Sequence, residues 1–341
     1  MAYTTIKKPS DYFNTKLFNG TGSTLNVTGI GFQPDMVWNK ARSGANINDH
    51  RLIDAVRGAT KNIYPNSNYY EETDANGLTS FDSDGFTLGN SNGMNNGSTA
   101  YASWNWKANG AGSANTAGSI NSTVSVNTTA GFSIVKYTGN ATVSTIGHGL
   151  GVAPKMIITK NLSRSDAWPV DCRQLGGTMY LNETGTLQSY ADSSPYPSTA
   201  PTNLVYSVGT AGNANYSGSD LIAYCFAEKQ GYSKFGSYTG NNNANGAFVY
   251  TGFKPAFIMV KRSSDVQGWV MWDSKRPGYN LTNQSLTANE TGAEETGRTF
   301  DMLSNGFKLR DTNTATNAAS TYIYMAFAEQ PLVGDNPATA R

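Results

Sequence analysis

The chain has 341 residues, of which 14% are charged, and its formal net charge is +1. That length suggests two or three domains of roughly 100–200 residues each. So even a balance of charge excludes a protein that binds nucleic acid or an anionic membrane mainly by electrostatics. Gly, Ser, Thr and Asn stand in for charge, and 19 Tyr with 14 Phe favour strands over helices.

Residues 1–10 read as a polar N-terminal arm. Met1-Ala-Tyr-Thr-Thr-Ile-Lys-Lys carries no apolar run of the secretory kind. No stretch approaches the ~18 apolar residues of a membrane span. Synthesis in a cytoplasm without membrane insertion is the expectation. Residues 11–107 form a first β unit, with a hairpin at Phe18-Asn19-Gly20 and a strand at Met36-Val37-Trp38. Residues 108–130 are poor in large apolar groups and read as a flexible linker. A second unit spans 131–229 and a third spans 230–329, with no spacer between them. Residues 330–341 read as an extended C-terminal tail. The linker predicts a semi-independent first unit beside a rigid block of the second and third.

One pattern registers three times. Gly31-Phe-Gln-Pro34, Gly151-Val-Ala-Pro154 and Gly252-Phe-Lys-Pro255 each open an apolar run ending in Lys40, Lys160 or Lys261. Phe86, Tyr206 and Phe307 correspond, and so do Trp106, Phe226 and Phe327. Proline and closing aromatic are 72 residues apart every time. A fixed internal spacing implies one folded unit used repeatedly. The closing strands alternate, with Ala102, Trp104 and Trp106, then Ile222, Tyr224 and Phe226, then Ile323, Met325 and Phe327 on an inward face. Short strands with turns every 8–12 residues predict an all-β protein of three tandem antiparallel β-sandwich, jelly-roll-like repeats.

Chemistry is sparse. Cys172 and Cys225 have no counterparts in other copies, so two free buried thiols are expected rather than a disulfide framework. Cysteines and histidines at 50, 148, 172 and 225 lack zinc spacing. Asp82-Ser-Asp84-Gly85 opens like a calcium loop but has Gly93 where the bidentate carboxylate belongs, so it reads as a turn. His148 lacks a nucleophile motif and reads as a surface or capping residue. The three repeated lysines read as caps for carbonyls or partners for carboxylates. No catalytic residue, metal site or cofactor is expected.

Five aromatics are ligand-binding candidates. Trp168 and Trp269 register at one repeat position, where the first copy has Asn48. A flat indole suits stacking on a pyranose and equally suits a strand core. Tyr69, Tyr70 and Tyr196 lie in polar stretches of loop character, where binding residues concentrate.

The segments Tyr3-Thr-Thr-Ile-Lys-Lys8, Asp11-Tyr-Phe-Asn-Thr-Lys-Leu-Phe-Asn-Gly20, Gly77-Leu-Thr-Ser-Phe-Asp-Ser-Asp-Gly-Phe86, Tyr232-Ser-Lys-Phe-Gly-Ser-Tyr-Thr-Gly240 and Tyr324-Met-Ala-Phe-Ala-Glu329 resemble repeat-containing, tail-fibre-like virion proteins of marine bacteriophages. The resemblance covers nearly the whole chain and brings no catalytic motif. It implies a structural protein of the virion, most simply a tail-fibre or host-receptor-binding component. A capsid decoration, head-fibre or other tail assembly protein is the alternative, and a polysaccharide depolymerase the third. Expected partners are other phage virion proteins and a host cell-surface glycan. A homo-oligomer, a trimer by analogy with fibres, is expected, although no heptad or collagen period supports it.

Overall fold

The computed structural model describes residues 4–333 and 337–338, and it is nearly all β. Three main sheets share one strand order. In the first, an entry strand (Phe13–Asn19) pairs with a closing strand (Thr99–Trp106). The closing strand pairs with a proline strand (Met36–Gly44), which pairs with an outer strand (Arg51–Asp54). The second sheet repeats this with Phe132–Thr138, Asp220–Phe226, Met156–Asn161 and Pro169–Cys172. The third repeats it with Ser233–Thr239, Thr321–Pro331, Phe253–Arg262 and Val270–Asp273. Every pairing is antiparallel. Register recurs as well: Met36 opposes Trp106, Met156 opposes Phe226, and Phe257 opposes Phe327. Pro255 sits at a bulge in its strand, where its missing N–H breaks no ladder bond.

A smaller layer backs each main sheet. Its central cross-strand pairs are Val27 with Phe86, Ile146 with Tyr206, and Val249 with Phe307. In the third sheet the layers join, so eight strands curl into a nearly closed barrel. Its free edges are Ser233–Thr239 and Phe248–Tyr250. Three satellite cores fill the sandwiches, with Val37, Ile157 and Ile258 pointing into them. Neighbouring residues on the same strands point the opposite way, into one large core. Both faces of each main sheet are therefore buried, which explains why the proline strands are apolar without alternation.

That shared core corrects the picture of three self-contained sandwiches with a semi-independent first unit. Trp106 and Phe226 each contact Phe327, with ring centroids 5.6 and 5.9 Å apart. Phe257 of the third sheet lies 5.8 Å from Trp104 and 6.0 Å from Trp106 of the first. The inward face of the closing strands is thus the meeting face of all three sheets. A residual apolar void of about 10 Å³ remains among Met36, Trp38, Ile158, Phe226 and Met325. It is too small to hold a ligand.

Two further expectations change. The stretch expected as a flexible linker contains the strands Ser113–Asn115 and Ser122–Asn127, which extend the second sheet. Small polar residues pair by backbone as well as large ones do, so low hydrophobicity there did not mean a loose chain. The N-terminal arm packs too, with Ile6 only 2% exposed in the common core. The third sheet's closing strand runs on to Pro331. The remaining tail positions, 334–336 and 339–341, lie outside the described residues, as do 1–3 of the arm.

Candidate binding surface and the seams that hold it

The three sheets lock together through a ring of hydrogen bonds at their seams. The Trp168 indole, from the second sheet, donates to the Ser67 carbonyl of the first at 2.9 Å. The Trp269 indole, from the third, donates to the Tyr180 carbonyl of the second at 2.8 Å. His50 of the first closes the ring, its Nε2 lying 3.2 Å from the Thr287 carbonyl of the third. Trp38 Nε1 donates to His50 Nδ1 at 2.9 Å. An indole N–H can only donate, so Nδ1 accepts and the neutral ring carries its proton on Nε2, aimed at Thr287. Burial, aided by the Lys40 charge, pushes the His50 pKa well below the usual histidine range. His50, and not Asn48, is therefore the counterpart of the two tryptophans.

The repeated lysines sit beside these residues and are fully buried. Lys160 donates to the carbonyls of Asn68, Arg164 and Asp166 at 2.9, 3.3 and 2.7 Å, one acceptor for each N–H of an ammonium. Lys40 reaches the carbonyls of Ala41 and Thr291, and Lys261 those of Arg262 and Asp265. Burial lowers the pKa of Lys160 to about 7 and that of Lys40 and Lys261 to about 8. Asn68 belongs to the first stretch of chain and Thr291 to the third, so Lys160 and Lys40 also bridge seams.

Two of the three seams carry a second set of buried polar contacts. Asp54 accepts from Arg57 Nε at 2.5 Å and from the Tyr224 hydroxyl of the second sheet at 2.7 Å. Asp273 accepts from Arg276 Nε at 2.7 Å and from the Trp104 indole of the first sheet at 3.1 Å. Each arginine goes on to a glutamate, Glu71 or Glu294, and to a strand carbonyl, Leu52 or Met271. At the corresponding place in the second sheet stand Cys172 and Leu175. Both cysteines are free and buried. Burial also raises the pKa of both thiols.

This geometry sorts the five aromatic candidates. Trp168 and Trp269 are 0% and 1% exposed, so they are seam residues and not sugar platforms. Tyr196 is also 0% exposed, its hydroxyl 2.7 Å from Thr159 Oγ1 in the second satellite core. Its Pro- and Ser-rich surroundings suggested exposure, but the ring turns inward under them. His148, expected as a surface or capping residue, is buried and caps backbone, with Nδ1 accepting from the Leu150 N–H. Tyr69 and Tyr70 are 55% and 51% exposed and remain the accessible pair.

Their loop is firmly held. Ser67 and Asn68 accept from Trp168 and Lys160, Glu71 N–H donates to the Leu162 carbonyl at 3.0 Å, and the Glu71 carboxylate holds Arg57. Only Tyr69 and Tyr70 project between these anchors, with Tyr69 edge-on to Tyr64 at 6.2 Å. On the second sheet, the Arg164 guanidinium lies 4.0 Å over the half-exposed Tyr216 ring. The Arg164 and Asn68 carbonyls share the Lys160 ammonium, which brings the Arg164 backbone close to that of the tyrosine loop. Such a surface offers flat apolar faces, phenol hydroxyls and one cation on a rigid base, a set that suits stacking and hydrogen bonding to a polar ring. Arg164 and Tyr216 were missed because neither registers with an aromatic or basic residue in the other copies. The other two seams carry no comparable aromatic cluster among the described residues.

The chain belongs to the family described as a domain of unknown function (DUF7483). The match runs over residues 8–331, so the family's unit is the whole three-sheet body. No curated protein and no solved structure matches this DUF7483 chain. Among the described residues, no group of three or more His, Cys, Asp or Glu side chains is placed to hold a metal ion.

Proposed function

We propose that this chain is a structural protein of a bacteriophage virion, a tail-fibre or host-receptor-binding component that presents Tyr69, Tyr70, Arg164 and Tyr216 to a cell-surface glycan. The observation that carries the reading is the aromatic cluster held rigidly at the seam of the first and second sheets. Preorganised aromatics lose little entropy on binding, which favours recognition of a weakly hydrophobic ligand such as a sugar. The low charge and polar surface suit a protein exposed on a particle, and the resemblance to tail-fibre-like proteins points the same way. The three-sheet packing is intramolecular, so one chain already supplies the threefold arrangement that fibres obtain by trimerisation.

The test has two parts. Antibody labelling of phage particles should place the chain at the tail tip or fibres. Purified protein should bind host cells and compete with phage adsorption, and Tyr69→Ala with Tyr70→Ala should abolish both without unfolding the chain. Labelling confined to the head, with no cell binding, would support the decoration or assembly alternative. Release of reducing sugar from host polysaccharide would support the depolymerase.

A further inference from the structure

The three sandwiches share a gap. Its two sides are the entry strand of the main sheet and the edge strand of the small layer. These are Phe13–Asn19 and Leu25–Thr28, Phe132–Thr138 and Ser144–Gly147, and Ser233–Thr239 and Phe248–Tyr250. Alternate residues of each entry strand point their backbone groups into this gap. Gly20 donates to Thr99, Gly139 to Ser219 and Gly240 to Ser320, which fixes the phase of the alternation. The outward set is therefore Thr15, Leu17 and Asn19 in the first sheet and Phe235, Ser237 and Thr239 in the third, where the Phe235 N–H already donates to the Glu228 carboxylate at 3.5 Å. In the second sheet it is Ile134, Lys136 and Thr138.

The chain fills the second gap itself. Ser122–Asn127 pairs along the entry strand, with Thr123 opposite Lys136 and Ser125 opposite Ile134. The residues just before it bond the other side: Ile120 N–H donates to the Thr145 carbonyl at 3.0 Å, and Ser119 N–H to Thr145 Oγ1 at 2.9 Å. Ile120 and Val124 enter the second satellite core. Gly118 passes so close to the Thr145 backbone that no side chain fits there.

The equivalent gaps of the first and third sheets are open grooves. One, of about 330 Å³, is lined by Asn14, Thr15, Lys16, Leu17, Gly29 and Lys275. The other, of about 310 Å³, lies at the start of the third entry strand, among Glu228, Gly231, Ser233, Lys234, Tyr250 and Thr251, and stops short of Ser237 and Thr239. Thr15 is 5% exposed, and its hydroxyl meets no hydrogen-bond partner among the described residues. Phe248 and Tyr250 stand half-exposed on the far edge of the third groove.

We propose that these two grooves are strand acceptors. Each takes an extended segment of another polypeptide, alternating hydroxyl-bearing and β-branched residues, in the place that Ser122–Asn127 occupies in the second sheet. Unpaired edges favour added strands, which gain main-chain hydrogen bonds from the edge and register from side-chain pockets. Lys16 and Lys275 flank the first groove and favour a segment carrying a carboxylate there. The inference is independent of the glycan-binding reading, since it uses neither the tyrosine loop nor Arg164.

The test is to titrate a peptide of residues 118–127, without the strand that pairs on its other side, into the full chain, following heat and amide exchange. Saturable binding is expected at one site in each open groove. The amides of Thr15, Leu17, Ser237 and Thr239 should exchange about tenfold more slowly with peptide, and that of Lys136 should not change. N-methylation of the peptide at Thr123 and Ser125 should weaken binding by about tenfold or more, while methylation at Val124 should not. Leu17→Pro and Ser237→Pro each remove an outward N–H without breaking a bond inside the sheet, so each should eliminate one site. No saturable binding, or equal binding by the Thr123/Ser125-methylated peptide, would overturn the proposal.

Discussion

Two of the three seams bury an ion pair, and the third buries sulfur. Asp54–Arg57 accepts from Tyr224, and Asp273–Arg276 accepts from Trp104. The corresponding positions at the remaining seam are Cys172, Leu175 and Met325, all part of the common core or packed on it. The neighbours are matched by kind: where the carboxylate is present, so are its arginine and a donor from the next sheet, and where it is absent, all three are apolar. The comparison shows that the ion pair does not create the seam. A fully satisfied buried pair and a well-packed apolar set are close in energy, whereas a half-removed pair is not.

That difference sets the largest predicted effect. Asp273→Ala leaves the buried Arg276 with only the Glu294 carboxylate, at 3.3 Å, and Trp104 without its acceptor, and should cost about 3–5 kcal/mol in urea unfolding. The double variant Asp273→Cys with Arg276→Leu copies two of the three residues of the apolar seam; it removes the buried charge but still leaves the Trp104 indole without an acceptor, so it should recover part of that loss and fall within about 1–3 kcal/mol of the parent. If the double variant is as damaged as the single, the seams are not interchangeable and the comparison fails.

Phe327→Ala should cost about as much, roughly 3–5 kcal/mol, by opening a cavity where Trp106, Phe226 and Phe257 converge. The informative readout is cooperativity. Because that core belongs to all three sheets, tryptophan fluorescence and far-UV dichroism should lose stability in one transition. Two separated transitions would restore a semi-independent first sheet.

The constant 72-residue spacing made the repeated strands legible, and the pairs Met36–Trp106, Met156–Phe226 and Phe257–Phe327 follow from it. The alternation on the closing strands also gave the right inward face. It did not say what that face meets, because alternation is the same whether a strand packs on its own sandwich or on a neighbour's. His50 escaped notice because two residues are gained or lost between it and Trp168, and a fixed offset lands on Asn48. Trp168 and Trp269 were ambiguous for a physical reason: a tryptophan that donates across a seam and one that stacks on a sugar look alike in sequence. The strand at Ser122–Asn127 was hidden by composition, since it joins the sheet through backbone groups on both sides more than through apolar side chains.

His50 gives a smaller effect with a definite sign. Its folded pKa lies below that of the unfolded chain, so below about pH 6.5 the unfolded state binds more protons and stability falls as the pH drops. The full limit is about 1.4 kcal/mol per pH unit for one group. His148 is also lowered by burial and contributes in the same direction. His50→Gln should therefore reduce, without abolishing, the slope of stability between pH 6.5 and 5.5. An unchanged slope would mean that the histidine ring is protonated in the fold, and the Trp38 indole would then need an acceptor other than His50 Nδ1.

The smallest effect belongs to the surface of the first seam, and its smallness is the point. Tyr216 is 43% exposed and stacks under Arg164, a contact of the kind that contributes about 0.5–1 kcal/mol at exposed sites. Tyr216→Ala should change stability by no more than that, and Tyr70→Ala by less, because neither side chain holds the seam. Lys160, Trp168 and Glu71 hold it instead, through backbone groups of the tyrosine loop and through Arg57. If the aromatic cluster is a binding surface, these variants should lose cell or glycan binding while keeping the parent's unfolding midpoint. A loss of stability of about 2 kcal/mol or more would instead make Tyr216 and Tyr70 part of the seam, and would remove the reason for reading this one junction as different from the other two.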